Sequence, residues 1–160
     1  MIELTDSYAA SGASSRSPEC LAPAWPRLSP LFRGKRTVVV DDDATARRIL
    51  ADLLKGLGCE VAAFERAADA LRQVARRGAD LVITDLFMPD CDGMELILAL
   101  RQLRPRPRII VVSGGSIYWH QALESARTLG ADATLGKPFG VAEFGATVER
   151  VLAGTPAGAC

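Results

Sequence analysis

The sequence predicts one α/β domain built on a doubly wound, five-stranded parallel sheet with helices on both faces. Two observations carry this. Short, continuous apolar runs alternate five times with amphipathic helical patterns, as in strands covered on both sides. Polar and acidic residues recur just after those runs. In such sheets that is the edge where ligands bind, near the point where strand order reverses.

Val38-Val39-Val40 is the first run and ends in Asp41-Asp42-Asp43. A helical face follows through Ile49, Leu50, Leu53, Leu54 and Leu57, stopped by Gly58. Glu60 to Phe64 is a weak strand, and Ala67, Leu71 and Val74 mark a second helix ending at Gly78. Leu81-Val82-Ile83 is a buried strand ending at Asp85, followed by a helix on Leu96, Ile97, Leu100 and Leu103. Ile109 to Val112 is the strongest strand and ends at Ser113. The fourth helix, opened by Tyr118, Trp119 and His120, turns Ala122, Leu123 and Ala126 inward and stops at Gly130. Ala133 to Leu135 precedes Lys137-Pro138, and Val141, Phe144, Val148 and Val151 supply the last helical face.

The composition fits such a domain. Of 160 residues, 49% are hydrophobic and 24% charged, enough for a core and a normal polar surface. Nineteen basic and nineteen acidic residues cancel, which gives direct nucleic-acid binding no electrostatic support. No apolar run approaches the ~18 to 20 residues of a membrane-spanning helix, and no secretion signal is visible. The four cysteines, at 20, 59, 91 and 160, form no CxxC pair, and His120 is the single histidine. Zinc is therefore not expected, and a reduced, cytoplasmic location is. Residues 1–34 are rich in Ser, Ala and Pro and read as a mobile tail. The domain is expected over 35–155, with a short tail at 156–160.

Right-handed crossovers bring every strand's carboxyl end to one rim. Asp41 and Asp42, Asp85, Ser113 and Lys137 then converge. Carboxylates that close repel and raise one another's pKa. A hard divalent cation relieves this, and Mg²⁺ (or Mn²⁺) suits carboxylates, a carbonyl and waters. Such a rim also receives a phosphoryl group, with cations neutralising its oxygens while a carboxylate attacks in line.

Four segments, in order, carry a family resemblance. Val40-Asp41-Asp42-Asp43-Ala44-Thr45-Ala46-Arg47 resembles the acidic signature of response-regulator receiver domains. Asp85-Leu86-Phe87-Met88-Pro89-Asp90-Cys91-Asp92-Gly93 is similar to their phosphorylation segment. Ser113 stands where the family has Ser or Thr, and Lys137-Pro138-Phe139 resembles its Lys-Pro-Phe element. Together they span about residues 37–153. The resemblance implies a flavodoxin-like strand order, 2-1-3-4-5, and a cis bond before Pro138. It implies Asp85 as phosphoacceptor and metal ligand, with Asp42 binding the metal directly, Asp41 mainly through water, and Phe87 through its backbone carbonyl. Ser113 and Lys137 would hold phosphoryl oxygens. A histidine kinase or histidine phosphotransfer protein would be the donor, and an undetermined downstream protein the target. The chemistry would stop at phosphotransfer and autodephosphorylation, without turnover of a separate substrate.

Two departures stand out. Thr134 replaces the aromatic often found three residues before the lysine, so a relay through that ring is not expected. Phe87, bulky and apolar two residues past the acceptor, predicts slow loss of phosphate. Little sequence follows Val151, so the stand-alone type is resembled, and the expected output is a protein contact, a competing phosphate sink or an intermediate step in a phosphorelay. A homodimer is open, since the fourth helix, fifth strand and fifth helix suit a dimer face or an effector face equally. Two rival readings remain. Asp41-Asp42-Asp43-Ala44-Thr45 also reads as DxDxT of a haloacid-dehalogenase-like phosphatase, with Asp41 as nucleophile and Asp43 as acid–base. A pseudo-receiver that only binds a partner is the other.

Overall fold

The computed structural model describes residues 29–88, 93–114 and 119–154. The readings of Trp25, Asp90, Cys91, Asp92 and Tyr118, and of residues 1–28 and 155–160, lie outside them.

Five strands alternate with five helices. In order they are β1 (Arg36–Val40), α1 (Ala44–Gly56), β2 (Glu60–Phe64), α2 (Ala67–Arg77), β3 (Leu81–Thr84), α3 (Gly93–Gln102), β4 (Arg108–Ser113), α4 (Trp119–Leu129), β5 (Ala133–Gly136) and α5 (Val141–Leu152). All pairings are parallel, in the order β2-β1-β3-β4-β5. This is the flavodoxin-like order the resemblance implied. Strand order reverses at β1, so the carboxyl ends of β1 and β3 diverge from a shared crevice there.

Both faces of the sheet are covered. β3 is buried throughout and β4 at every position after Arg108, so neither shows the alternation of a half-exposed strand. Side chains alternate across the sheet and split the core in two. Val39, Leu81, Ile83, Ile110 and Val112 face Leu50, Leu54, Phe144 and Val148 of α1 and α5. Val38, Val40, Val82, Ile109 and Val111 face Ala70, Val74, Ile97, Leu100 and Ala126 of α2, α3 and α4.

Three expectations are corrected. Ile49 is 53% exposed and Val141 46%, not inward-facing. At 100° per residue, Leu50, Leu54 and Leu57 form one narrow stripe, and Ile49 falls outside it. Val141 opens the first turn of α5, ahead of the buried Phe144. The tail expected over 1–34 does not extend to its end. Pro30–Phe32 forms a 3-10 turn capped by Ser29, and the Phe32 side chain is wholly buried among the α1 and α5 residues. Cys59 is buried as well, and burial pushes its thiol up, as befits a packing residue rather than a reactive one. No helix among the described residues is long and apolar enough to cross a membrane.

Candidate functional site: an aspartate rim bridged by one lysine

β1 delivers the acidic loop. Val40 is the last strand residue, and Asp41 follows with 1% exposure. Its Oδ1 accepts the Asp43 N–H at 2.9 Å. Asp43 caps α1, its carboxylate accepting the Ala46 N–H at 2.7 Å. Asp42, between them, is exposed. Its carboxylate has no hydrogen bond or ion pair among the described residues.

β3 delivers Asp85, whose N–H donates to the Val40 carbonyl at 3.0 Å and ties it beside the acidic loop. Thr84 Oγ1 donates to the Asp85 carbonyl at 2.9 Å. The carboxylate is nearly buried but stands on the rim. Its Oδ1 accepts the Phe87 N–H and the Ser113 hydroxyl, each at 3.1 Å. Gly93 makes this segment possible: a Cβ there would lie 2.4 Å from the Asp85 carbonyl oxygen, so α3 can start this close only without a side chain.

β5 delivers Lys137, which a cis bond joins to Pro138. Its ammonium donates to Asp85 Oδ2 at 2.9 Å and to Asp41 Oδ2 at 3.0 Å. The Lys137 N–H donates to the Ser113 carbonyl at 2.9 Å. Gly114 lets the two loops meet, since a Cβ there would sit 2.7 Å from that of Lys137.

Burial alone would lower the Lys137 pKa, but the hydrogen bonds and charges of Asp85 and Asp41 outweigh it and hold the ammonium above its ordinary value. Burial pushes the Asp41 carboxyl above the usual carboxylate range, against the pull of Lys137, and the Asp85 charge adds to the rise.

The rim therefore gathers Asp41, Asp85, Ser113 and Lys137 from four separate segments. It does not gather three carboxylates: among the described residues no group of three His, Cys, Asp or Glu side chains forms a metal cage. Asp42 lies next to the cluster in sequence and open to solvent. Phe87 is also exposed, and its N–H donates to the Asp85 carboxylate. The donors on offer are all hard oxygens, which suits Mg²⁺ far better than a soft metal. Thr134 is half-buried and lines an open cavity of about 250 Å³ with His120, Leu123, Glu124, Arg127 and Gly136.

Arg47 carried no role in the sequence beyond its place in the acidic signature. Its Nη1 donates to the main-chain carbonyls of Asp41, at 2.6 Å, and Asp42, at 3.3 Å.

A doubly wound sheet with a hydroxyl, an ammonium and a strand-end aspartate joined at its switch point defines a phosphoacceptor domain of the two-component signalling class. The family model for the response regulator receiver domain matches residues 37–149, and the chain belongs to that family. It is similar to the DNA-binding transcriptional regulator NtrC of Azospirillum brasilense, with 39% identity over 115 residues, 72% of this chain and 24% of that protein. It also resembles the KDP operon transcriptional regulatory protein KdpE of Escherichia coli (strain K12), with 38% identity over 72% of this chain and 50% of that protein. The chain thus spans about a quarter of the NtrC relative and half of KdpE. Among solved structures, the CheY-like receiver domain protein of Methanospirillum hungatei JF-1 aligns with a TM-score of 0.68 and 26% identity, over 76% of this chain and 95% of that one.

The phosphatase reading falls with this membership. Asp43, its acid–base, is spent on capping α1, and Asp41, its nucleophile, is buried under Lys137.

Proposed function

We propose that the domain takes a phosphoryl group onto Asp85 from the phosphohistidine of a histidine kinase or histidine phosphotransfer protein, with Mg²⁺ (or Mn²⁺) bound. One observation carries the reading: the Asp85 carboxylate is held by Ser113 on one oxygen and by Lys137 on the other. Asp85 attacks phosphorus, the bond from phosphorus to the histidine nitrogen breaks, and that nitrogen leaves with the electron pair. The product is an acyl phosphate. Lys137 and Ser113 already lie within hydrogen-bonding reach of Asp85, so they transfer their donors to the incoming phosphoryl oxygens. Asp42, Asp85 and the Phe87 carbonyl would hold the metal directly and Asp41 through water; when bound, it neutralises charge on the transferring group.

The donor needs a surface beside the rim. Ile49 on α1, Phe87 and Val141 on α5 are exposed large apolar side chains on segments that begin at or near the rim, and they suit a protein partner. The output is a protein contact with a downstream target. Loss of the Ser113 and Lys137 bonds to Asp85 on phosphorylation is the local change that such a target would sense.

The test is incubation with Mg²⁺ and acetyl phosphate, read by intact mass. Wild type is expected to gain one phosphoryl group and Asp85→Asn none. A wild type that never gains mass and ignores Mg²⁺ is a pseudo-receiver, and a label that survives Asp85→Asn but disappears with Asp41→Asn restores the phosphatase. Either outcome ends this reading.

A further inference from the structure

We infer that Arg47 is a positioning residue for the metal-binding loop: its guanidinium clamps the Asp41 and Asp42 carbonyls and so presents their carboxylates to the cation. The inference rests on the function proposed above.

Arg47 and Arg48 are neighbours on the first turns of α1, yet they behave differently. The Arg48 side chain is 85% exposed and pairs loosely with Asp52 at 3.8 Å. Arg47 is half-buried and turns back over the loop. One nitrogen, Nη1, serves both carbonyls, at 2.6 and 3.3 Å. The base of the side chain is fixed too, because the Arg47 N–H donates to the Asp43 carbonyl at 2.9 Å.

The clamp bears on the loop's weakest part. The Asp41 carboxylate is already held by Asp43 and Lys137. Asp42 has no such support, and its carbonyl bond to Arg47 is its one side-chain contact among the described residues. Asp42 is also the carboxylate assigned direct contact with the cation. Fixing its peptide lowers the ordering cost of binding.

The two readings of Arg47 predict opposite signs. A cation near a cation site repels Mg²⁺, so as a bare surface charge its removal would tighten binding. As a clamp, its removal loosens binding, and groups that orient metal ligands typically matter about 10- to 100-fold in affinity.

The experiment is calorimetric titration of the whole chain with MgCl₂ alone, for wild type, Arg47→Met and Arg47→Lys, beside melting curves without Mg²⁺. The expected result is about tenfold weaker Mg²⁺ binding for Arg47→Met, an intermediate loss for Arg47→Lys, and a melting temperature too little changed to account for either. Equal or tighter binding by Arg47→Met overturns the inference while leaving the proposed function intact. Should Arg47→Met fail to fold, Arg47→Lys decides: affinity equal to wild type overturns the inference and weaker affinity supports it. A wild type that binds no Mg²⁺ overturns both this and the function on which it rests.

Discussion

Asp41 and Asp85 accept the same ammonium, but Asp41 is the more deeply buried, and burial is the leading influence on its proton affinity. Its folded pKa lies above the ordinary carboxylate value of 3.8, so the native state binds that proton more tightly than the unfolded chain does. Stability from this group is therefore greatest at low pH and falls as pH rises through the folded value. At pH 7 the ionised Asp41 costs stability in the metal-free protein. Asp41→Asn keeps an acceptor for Lys137 and removes the buried charge. It is expected to melt at a higher temperature than wild type at pH 7 without Mg²⁺, with the gap closing as pH is lowered toward the raised pKa. A wild type that is the more stable at pH 7 would show that the Lys137 pair outweighs burial. Asp41, Asp85, Ser113 and Lys137 were legible in the sequence because each ends or follows an apolar run, and parallel topology sends those ends to one rim. Arg47 was not, because its acceptors are main-chain carbonyls, which every residue type carries.

At the scale of elements, strand and helix positions were legible wherever the apolar period was long. The Pro30–Phe32 turn was not. Four prolines between residues 18 and 30 signal irregular backbone, and three residues are too few to show a period. Yet Phe32 is wholly buried, in the same cluster as Leu54 of α1 and Phe144 and Val151 of α5. Phe32→Ala is expected to destabilise the domain by about 3–5 kcal/mol, the usual cost of emptying a buried aromatic site. Urea unfolding at equilibrium measures it. A loss well under about 1 kcal/mol would mean that the turn merely rests on the domain, as the tail reading held. Ile49 and Val141 show the converse limit: an apolar residue at the border of a helical stripe does not reveal whether it faces core or solvent, because 100° of rotation separates the two.

For the molecule as a whole, Lys137 joins β1 and β3 to the end of β5 through Asp41 and Asp85, spanning 96 and 52 residues of chain. The ammonium thus ties three of the five strands together, and the Lys137 main-chain N–H, bonded to the Ser113 carbonyl, adds β4. The Lys137 pKa is raised above 10.5, so its contribution is fully present below that value and is lost as pH rises through the higher folded pKa. Lys137→Met removes the ammonium and leaves two carboxylates close together with nothing between them. Breaking a fully buried pair costs about 3–5 kcal/mol; Lys137 is 30% exposed, and solvent screening brings the expectation at pH 7 to roughly 1–3 kcal/mol. The same carboxylates are the proposed metal ligands, so Mg²⁺ should compensate for the missing charge. Its addition is expected to raise the melting temperature of Lys137→Met by more than it raises that of wild type, because in wild type the ammonium already offsets part of the repulsion. A variant as stable as wild type without Mg²⁺ would refute the electrostatic account of the rim. A destabilised variant that gains no more from Mg²⁺ than wild type does would leave the ammonium's structural role standing and remove the metal from these carboxylates.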